Sequence, residues 1–182
     1  MVPDPDEIEK SSRHQKIIGN LGEQLVCNWL SRSGFEVAVI DHSGIDLIAF
    51  DSNTGKRMGI TVKSRTRHLR ETESVSIFNN RKNDRRKTKD ACIAFGCEPW
   101  IAVYVETRDS GELYLTSLTN YEAKYKSREG KAVDDWKMTP NWIQACRKDS
   151  QVMHIHLNFA VEKWFSRQND LPQRKGEVNN LG

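Results

Sequence analysis

No stretch of this chain approaches the roughly 18 consecutive apolar residues that a membrane-spanning helix needs, so no membrane partner is expected. Its opening residues, MVPDPDEIEKSSRHQK, lack an apolar core, which excludes a secretory leader and leaves the cytoplasm as the expected location. Cysteine is scarce: Cys27, Cys92, Cys97 and Cys146 form no CxxC pair and lie in apolar or mixed segments. They read as small buried thiols in a reducing compartment rather than as a zinc site. His154 and His156 alternate in VMHIHLNF, which reads as one face of a strand, with a metal role as the minor alternative. Internal repeats, low-complexity tracts and recognisable base-reading modules are absent too. Neither sign of charge dominates, since a net charge of +3 decides little by itself.

What is present fits one ordinary folded domain. The 182 residues are too few for two comfortable domains, and 37% hydrophobic with 29% charged residues argues against disorder. Residues 1–16 and 167–182 are polar and without sustained apolar period, so flexible tails are expected around a single domain over 17–166. Within it, KIIGNLGEQLVCNWLSRSG reads as a helix, with Ile18, Leu21, Leu25 and Trp29 at helical spacing and Gly34 as the stop. Strands are expected at 35–40, 44–50 and 57–65, with DSNTGK as the turn between the last two. A possible short strand at SVSIF precedes a helix over Asn83–Phe95 closed by Gly96, then strands at 99–107 and 112–118. Thr119 is a candidate cap for a short helix in TNYEAKY, another helix follows Pro140, VMHIHLNF is the last strand, and AVEKWFSRQ a closing helical turn. The tryptophans sit in apolar contexts and read mainly as core. This is an α/β pattern around one central sheet.

The hairpin GIDLIAFDSNTGKRMGITVKSR holds the chemistry. Strand alternation puts Asp46, Ile48 and Phe50 on one face, and Thr61, Lys63 and Arg65 on one face of the return strand. A turn centred on Thr54-Gly55 pairs Ile48 with Thr61 and Asp46 with Lys63. The bland explanation is a cross-strand ion pair, which stabilises by well under ~1 kcal/mol. The neighbours Ile45, Leu47, Ile48, Ala49, Ile60 and Val62 make both faces apolar, however, and an acid there needs a partner or a cation. Glu23 lies roughly 120–140° from the centre of the leading helix's apolar stripe, on its flank. Gly19 and Gly22 would let that helix approach the sheet closely.

GxxxE on a leading helix, an aspartate in GIDLIAF, a turn and then xVK on the next strand resemble the PD-(D/E)xK nuclease superfamily over about Gly19–Arg65. That superfamily has the restriction-endonuclease-like fold and includes archaeal Holliday junction resolvases and RecB-type nuclease domains. The resemblance implies a restriction-endonuclease-like core, a central mixed β-sheet flanked by helices. It also implies a divalent-metal-dependent nuclease that hydrolyses DNA. Glu23, Asp46 and Lys63 would be catalytic, with Mg2+ (or Mn2+) held by Asp46, Glu23 and the backbone carbonyl of Val62. Such a cation neutralises phosphate charge and acidifies bound water, takes hard oxygen ligands and needs few carboxylates. A homodimer is consistent with the resemblance, because cutting both strands calls for two active sites.

The family places an acid two residues before the lysine, where this chain has Thr61. Three readings stay open: the reduced site works, another carboxylate (Glu73, Asp41 or Glu36) substitutes, or catalysis is lost and the fold binds nucleic acid or a protein without cutting. The segment from Lys63 to Lys89 is dense in lysine and arginine. It reads as a phosphate-facing patch, with Arg65, Arg67, Arg70, Arg85, Arg86, Lys87 and Lys89 as nucleic-acid contacts; a solvated loop and helix face is the alternative.

Overall fold

A computed structural model describes residues 10–67, 74–107, 109–127 and 130–159. Helix α1 (His14–Arg32) leads into β1 (Glu36–His42), β2 (Ile45–Phe50) and β3 (Arg57–Thr66). After β4 (Ser74–Asn79), a 3-10 turn at Asn80–Lys82 feeds α2 (Asp84–Phe95). Strands β5 (Glu98–Glu106) and β6 (Ser110–Ser117) follow, then α3 (Leu118–Asn120), which runs on as a π-turn over Tyr121–Tyr125. The last elements are β7 (Val133–Lys137), α4 (Pro140–Lys148) and β8 (Val152–Asn158).

The six-stranded sheet has the order β1-β2-β3-β5-β6-β8. Only β3 and β5 run parallel; the other neighbours are antiparallel, so the sheet is mixed. β4 and β7 make a separate two-stranded ribbon. The α/β class with a central mixed sheet flanked by helices is therefore as expected. Among the described residues no helix is long and apolar enough to cross a membrane. The expected closing helical turn in AVEKWFSRQ lies outside the described residues.

Each sheet face has its own core. On one, Ile18, Val26 and Leu30 of α1 cover Leu47, Ala49, Ile60, Val62, Ala102 and Tyr104. On the other, the ribbon and the π-turn supply Val75, Ile77, Phe78, Trp136 and Tyr121 against Ile101, Val103, Val105 and Tyr114. Trp136 is buried among three tyrosine rings, as a core tryptophan, while Trp29, Trp100 and Trp142 are half-buried and Trp164 lies outside the described residues. All four cysteines are free thiols, Cys92 and Cys146 fully buried.

Three local expectations are corrected. The buried line of α1 is Ile18, Gly22, Val26 and Leu30, spaced by four; Leu21 is 39% exposed. The cap of α3 is Ser117, whose hydroxyl accepts from the Asn120 N–H at 3.1 Å, and not Thr119. β7 was not anticipated, because VDDWK carries two acids; Asp134 is buried all the same, with Arg85 as its ion-pair partner and the Asn80 amide donating to it.

Candidate active site

The β2–β3 hairpin closes one residue earlier than its sequence indicates. Asp51 N–H bonds the Lys56 carbonyl at 2.9 Å, and the Asp51 carboxylate accepts from the Asn53 N–H and the Thr54 hydroxyl. That side chain folds a four-residue loop ending at Gly55, whose φ of +70° suits glycine. The register pairs Phe50 with Arg57 and Leu47 with Ile60. Continued one step it brings Thr61, not Lys63, opposite Asp46, and Ile48 faces Gly59 rather than Thr61. A slip of two keeps the paired side chains on their faces, so Thr61 and Lys63 remain on the face of Ile48.

Ladder pairing between β2 and β3 stops at Leu47 and Ile60, and beyond it the strands part. Asp46 fills this fork: its Oδ2 accepts the Val62 N–H at 2.6 Å, replacing a ladder carbonyl. In a ladder a residue's N–H and C=O point to the same edge, so the Val62 carbonyl also faces the fork. Lys63 projects on the ribbon side, its ammonium 5.9 Å from the Phe78 ring centroid. Among the described residues it makes no ion pair, so the bland Asp46–Lys63 bridge is not formed.

Glu23 comes from the opposite layer. Gly22 lies against β3, where a Cβ would stand 2.1 Å from Ser64 Oγ and 3.5 Å from Tyr104 Cβ. Of the two glycines expected to admit the sheet, only Gly22 does so; a Cβ on Gly19 would meet nothing within 4 Å. With Gly22 on the buried line, Glu23 sits about 80° from its centre, nearer the sheet than the Leu21 stripe implied. The Glu23 carboxyl is pushed above its ordinary range, first by burial and then by the Asp46 charge. Lys63 pulls it down and Asp41 adds a further push up. Asp46 and Lys63 are thus both within electrostatic reach of Glu23.

Thr61 is 2% exposed. Among the described residues no three or more His, Cys, Asp or Glu side chains are grouped to hold a metal ion. Of the substitute acids, Glu36 pairs with Phe50 at the turn end of the hairpin, away from the fork. Asp41, where the β1–β2 register shifts between Val39 and His42, is close enough to act on Glu23. Glu73 lies outside the described residues.

The expected phosphate contacts disperse. Arg65 is half-buried and donates to the Ser64 carbonyl at 2.7 Å. Arg67 is buried, with a guanidinium nitrogen 3.5 Å from the Met138 carbonyl, and Arg70 lies outside the described residues. Arg85 pairs with Asp134 at 2.9 Å and Glu122 at 3.3 Å, and Lys89 with Glu122 at 2.8 Å. Lys87 is exposed, 3.9 Å from Asp84, and Arg86 is exposed with no ion pair among the described residues. A polar row that sequence reasoning missed joins His14 Nε2 to the Thr66 hydroxyl at 2.8 Å and to Glu106 at 3.5 Å. The only signal for it was a histidine in a segment read as tail.

No family model matches this chain, and no curated protein sequence does. Among solved structures it is similar to Archaeoglobus fulgidus Hjc, a Holliday junction resolvase from an archaeal hyperthermophile. That match has a TM-score of 0.47 at 13% identity, covering 70% of this chain and 93% of that one. It is also similar to a restriction endonuclease in complex with substrate DNA, with a TM-score of 0.38 at 13% identity, covering 83% of this chain and 74% of that one.

Proposed function

We propose that this chain is a divalent-metal-dependent nuclease that hydrolyses DNA phosphodiester bonds, with Glu23, Asp46 and Lys63 as its catalytic residues. The observation that carries this reading is the β2–β3 fork, where Asp46 and Lys63 both act on Glu23 yet form no ion pair among the described residues. A buried-sheet acid and base left apart in this way suit a third party between them.

The donor set fits a hard cation. Two carboxylates close enough for Asp46 to raise the Glu23 carboxyl are relieved by positive charge between them. Asp46, Glu23 and the Val62 carbonyl offer only oxygen, which suits magnesium or manganese. When bound, the cation would neutralise phosphate charge and acidify water. The Val62 N–H holds the Asp46 carboxylate in place. Lys63 steadies the attacking water or a non-bridging phosphate oxygen. With Glu23 holding the cation, the proton of the attacking water passes to solvent. Water oxygen bonds to phosphorus, the bond to the leaving oxygen breaks, and that oxygen takes a proton from solvent; no covalent enzyme intermediate is needed. A homodimer would supply two such sites for two strands.

A second reading has its own observation. Thr61 is buried opposite Asp46 where a ligand carboxylate would serve, and this favours a degenerate nuclease-fold module that binds nucleic acid or a protein without cutting. Plasmid, single-stranded and branched DNA incubated with magnesium or manganese separates the two. Cleavage lost in Asp46→Asn and in Lys63→Met supports the enzyme. Wild-type protein that cuts nothing yet binds DNA in a salt-sensitive way supports the module and sinks the nuclease.

A further inference from the structure

Between the 3-10 turn after β4 and the segment leading into β7 lies an open cavity of about 610 Å³. Arg81, Arg85, Lys126 and Lys131 line it, against a single acid, Asp134. Its wall is built: the Asn80 N–H donates to the Ala132 carbonyl at 2.9 Å and the Asn80 side-chain amide to the Lys131 carbonyl at 2.8 Å. The Ser127 hydroxyl accepts the Asp135 N–H at 3.0 Å, fixing the other end of the segment.

The charges do not cancel. Asp134 is 1% exposed and already paired: its Oδ2 lies 2.9 Å from Arg85 Nε and its Oδ1 accepts from the Asn80 amide at 2.9 Å. Arg85 is in turn shared with Glu122. Lys131 reaches Asp135 at only 3.5 Å, and both are solvent-accessible, so that pair neutralises little. Arg81 and Lys126 make no ion pair among the described residues. Among the described residues Arg81 and Lys126 therefore face the cavity unpaired, and Lys131 is held only loosely by Asp135.

We propose that this cavity binds backbone phosphates of the nucleic acid presented to the β2–β3 fork, through Arg81, Lys126 and Lys131. This rests on the nucleic-acid reading above. The cavity lies on the same side of the sheet as Lys63: Asp134 pairs across the ribbon with Phe78, whose ring the Lys63 ammonium approaches. Among the described residues its lining holds no apolar side chain larger than Ala132 and no aromatic ring, so none of them stacks a base or encloses a nucleoside. A polyanionic backbone that passes through needs neither.

The test is binding of a fluorescein-labelled DNA duplex by anisotropy over a salt series, in EDTA so that cutting plays no part. The variants are Arg81→Gln/Lys126→Gln and a charge-matched control, Lys16→Ala/Lys148→Ala, at exposed positions outside the cavity. Each lost phosphate contact lowers the slope of log K against log salt by about 0.9 on duplex DNA, so the cavity variant should lose nearly two units and the control far less. Arg81 and Lys126 hold no ion-pair partner among the described residues, so matching thermal melts are expected and a fold defect would show there. If wild type binds DNA and the cavity variant keeps its slope, the cavity proposal is overturned while the nucleic-acid reading stands. If wild type binds no DNA, that reading falls and this proposal with it. A parallel calorimetric titration with pyrophosphate gives the remaining outcome: tight binding lost in the cavity variant, without DNA binding, would make the site a small-anion pocket and overturn the proposal.

Discussion

Replacing Gly22 by alanine tests how α1 brings Glu23 to the fork, and its expected cost comes from one atom. The new Cβ would stand 2.1 Å from Ser64 Oγ, about 0.9 Å inside the 3.0 Å floor of real Cβ contacts. Its other neighbours, Ser64 Cβ at 3.4 Å and Tyr104 Cβ at 3.5 Å, are ordinary contacts. Helix propensity favours alanine by about 0.8–1.0 kcal/mol, whereas overpacking a core costs roughly 1–3 kcal/mol. Gly22→Ala alone should therefore be neutral to roughly 2 kcal/mol destabilising. Ser64→Ala removes the obstructing oxygen, which is buried and has no hydrogen-bond partner among the described residues. On that background Gly22→Ala should stabilise by about 1 kcal/mol, which is the propensity term alone. A double-mutant cycle from urea denaturation reads the coupling, expected at roughly 1–3 kcal/mol. Carbon-13 NMR of the Glu23 carboxyl adds the functional half: α1 lifted off β3 should return its pKa toward the ordinary value, and Ser64→Ala should restore the shift. A Gly22→Ala variant stabilised by about 1 kcal/mol whether or not Ser64 is present would refute the close approach.

Three further outcomes are expected. Burial is the first cause of the raised Glu23 carboxyl, and Asp46 the second, so Asp46→Asn should lower that pKa and Lys63→Met should raise it; NMR titration reads both signs. The linkage sign follows: the folded state holds the Glu23 proton more tightly, so stability falls as pH rises from the ordinary 4.5 through the raised value, and Asp46→Asn should flatten that fall. Thr61→Asp puts a carboxylate at a 2%-exposed position, so the metal-free protein should lose several kcal/mol. Magnesium should then raise its melting temperature more than that of wild type, each tenfold gain in affinity adding about 1.4 kcal/mol; equal shifts would exclude a cation there. Burial opposes the Asp149 charge, but Lys124, the Gln151 N–H, Tyr125 and Asn120 all donate to it and hold its carboxyl well below the usual range. Its stabilisation is present above the unfolded pKa near 3.8 and lost as pH falls further. Asp149→Asn should cost roughly 2–3 kcal/mol at neutral pH and little in acid, as read by urea midpoints at both pH values.

The parts of the fold legible in sequence were those that local periodicity governs. β2, β3 and β5 carry branched apolar residues between turn signals, and they form where expected. The hairpin register was misread by two residues because Thr54-Gly55 looks like the turn centre, whereas the Asp51 carboxylate organises a loop centred one residue earlier. The buried line of α1 was misread because glycine carries no hydrophobic signal: Gly22 is buried by the approach of Ser64 and Tyr104, a tertiary fact. The same two elements decide how Glu23 and Asp46 meet. The identities of the candidate residues could be quoted from the chain, but their spatial relation could not.

The basic segment shows why a charge run is a poor map of a binding face. Along the chain, Arg85 and Lys89 look equivalent to Arg81, since all are cations in one polar stretch. In the fold, Glu122 arrives from the π-turn and Asp134 from β7, and between them they absorb Arg85 and Lys89. Arg81, one turn earlier, faces the cavity instead, where Lys126 and Lys131 join it from a segment that follows the π-turn. What a phosphate meets is the positive charge left over after internal pairing. That remainder depends on β7, whose two acids disguised it as a loop, and so the proposed face could not be drawn before the ribbon was.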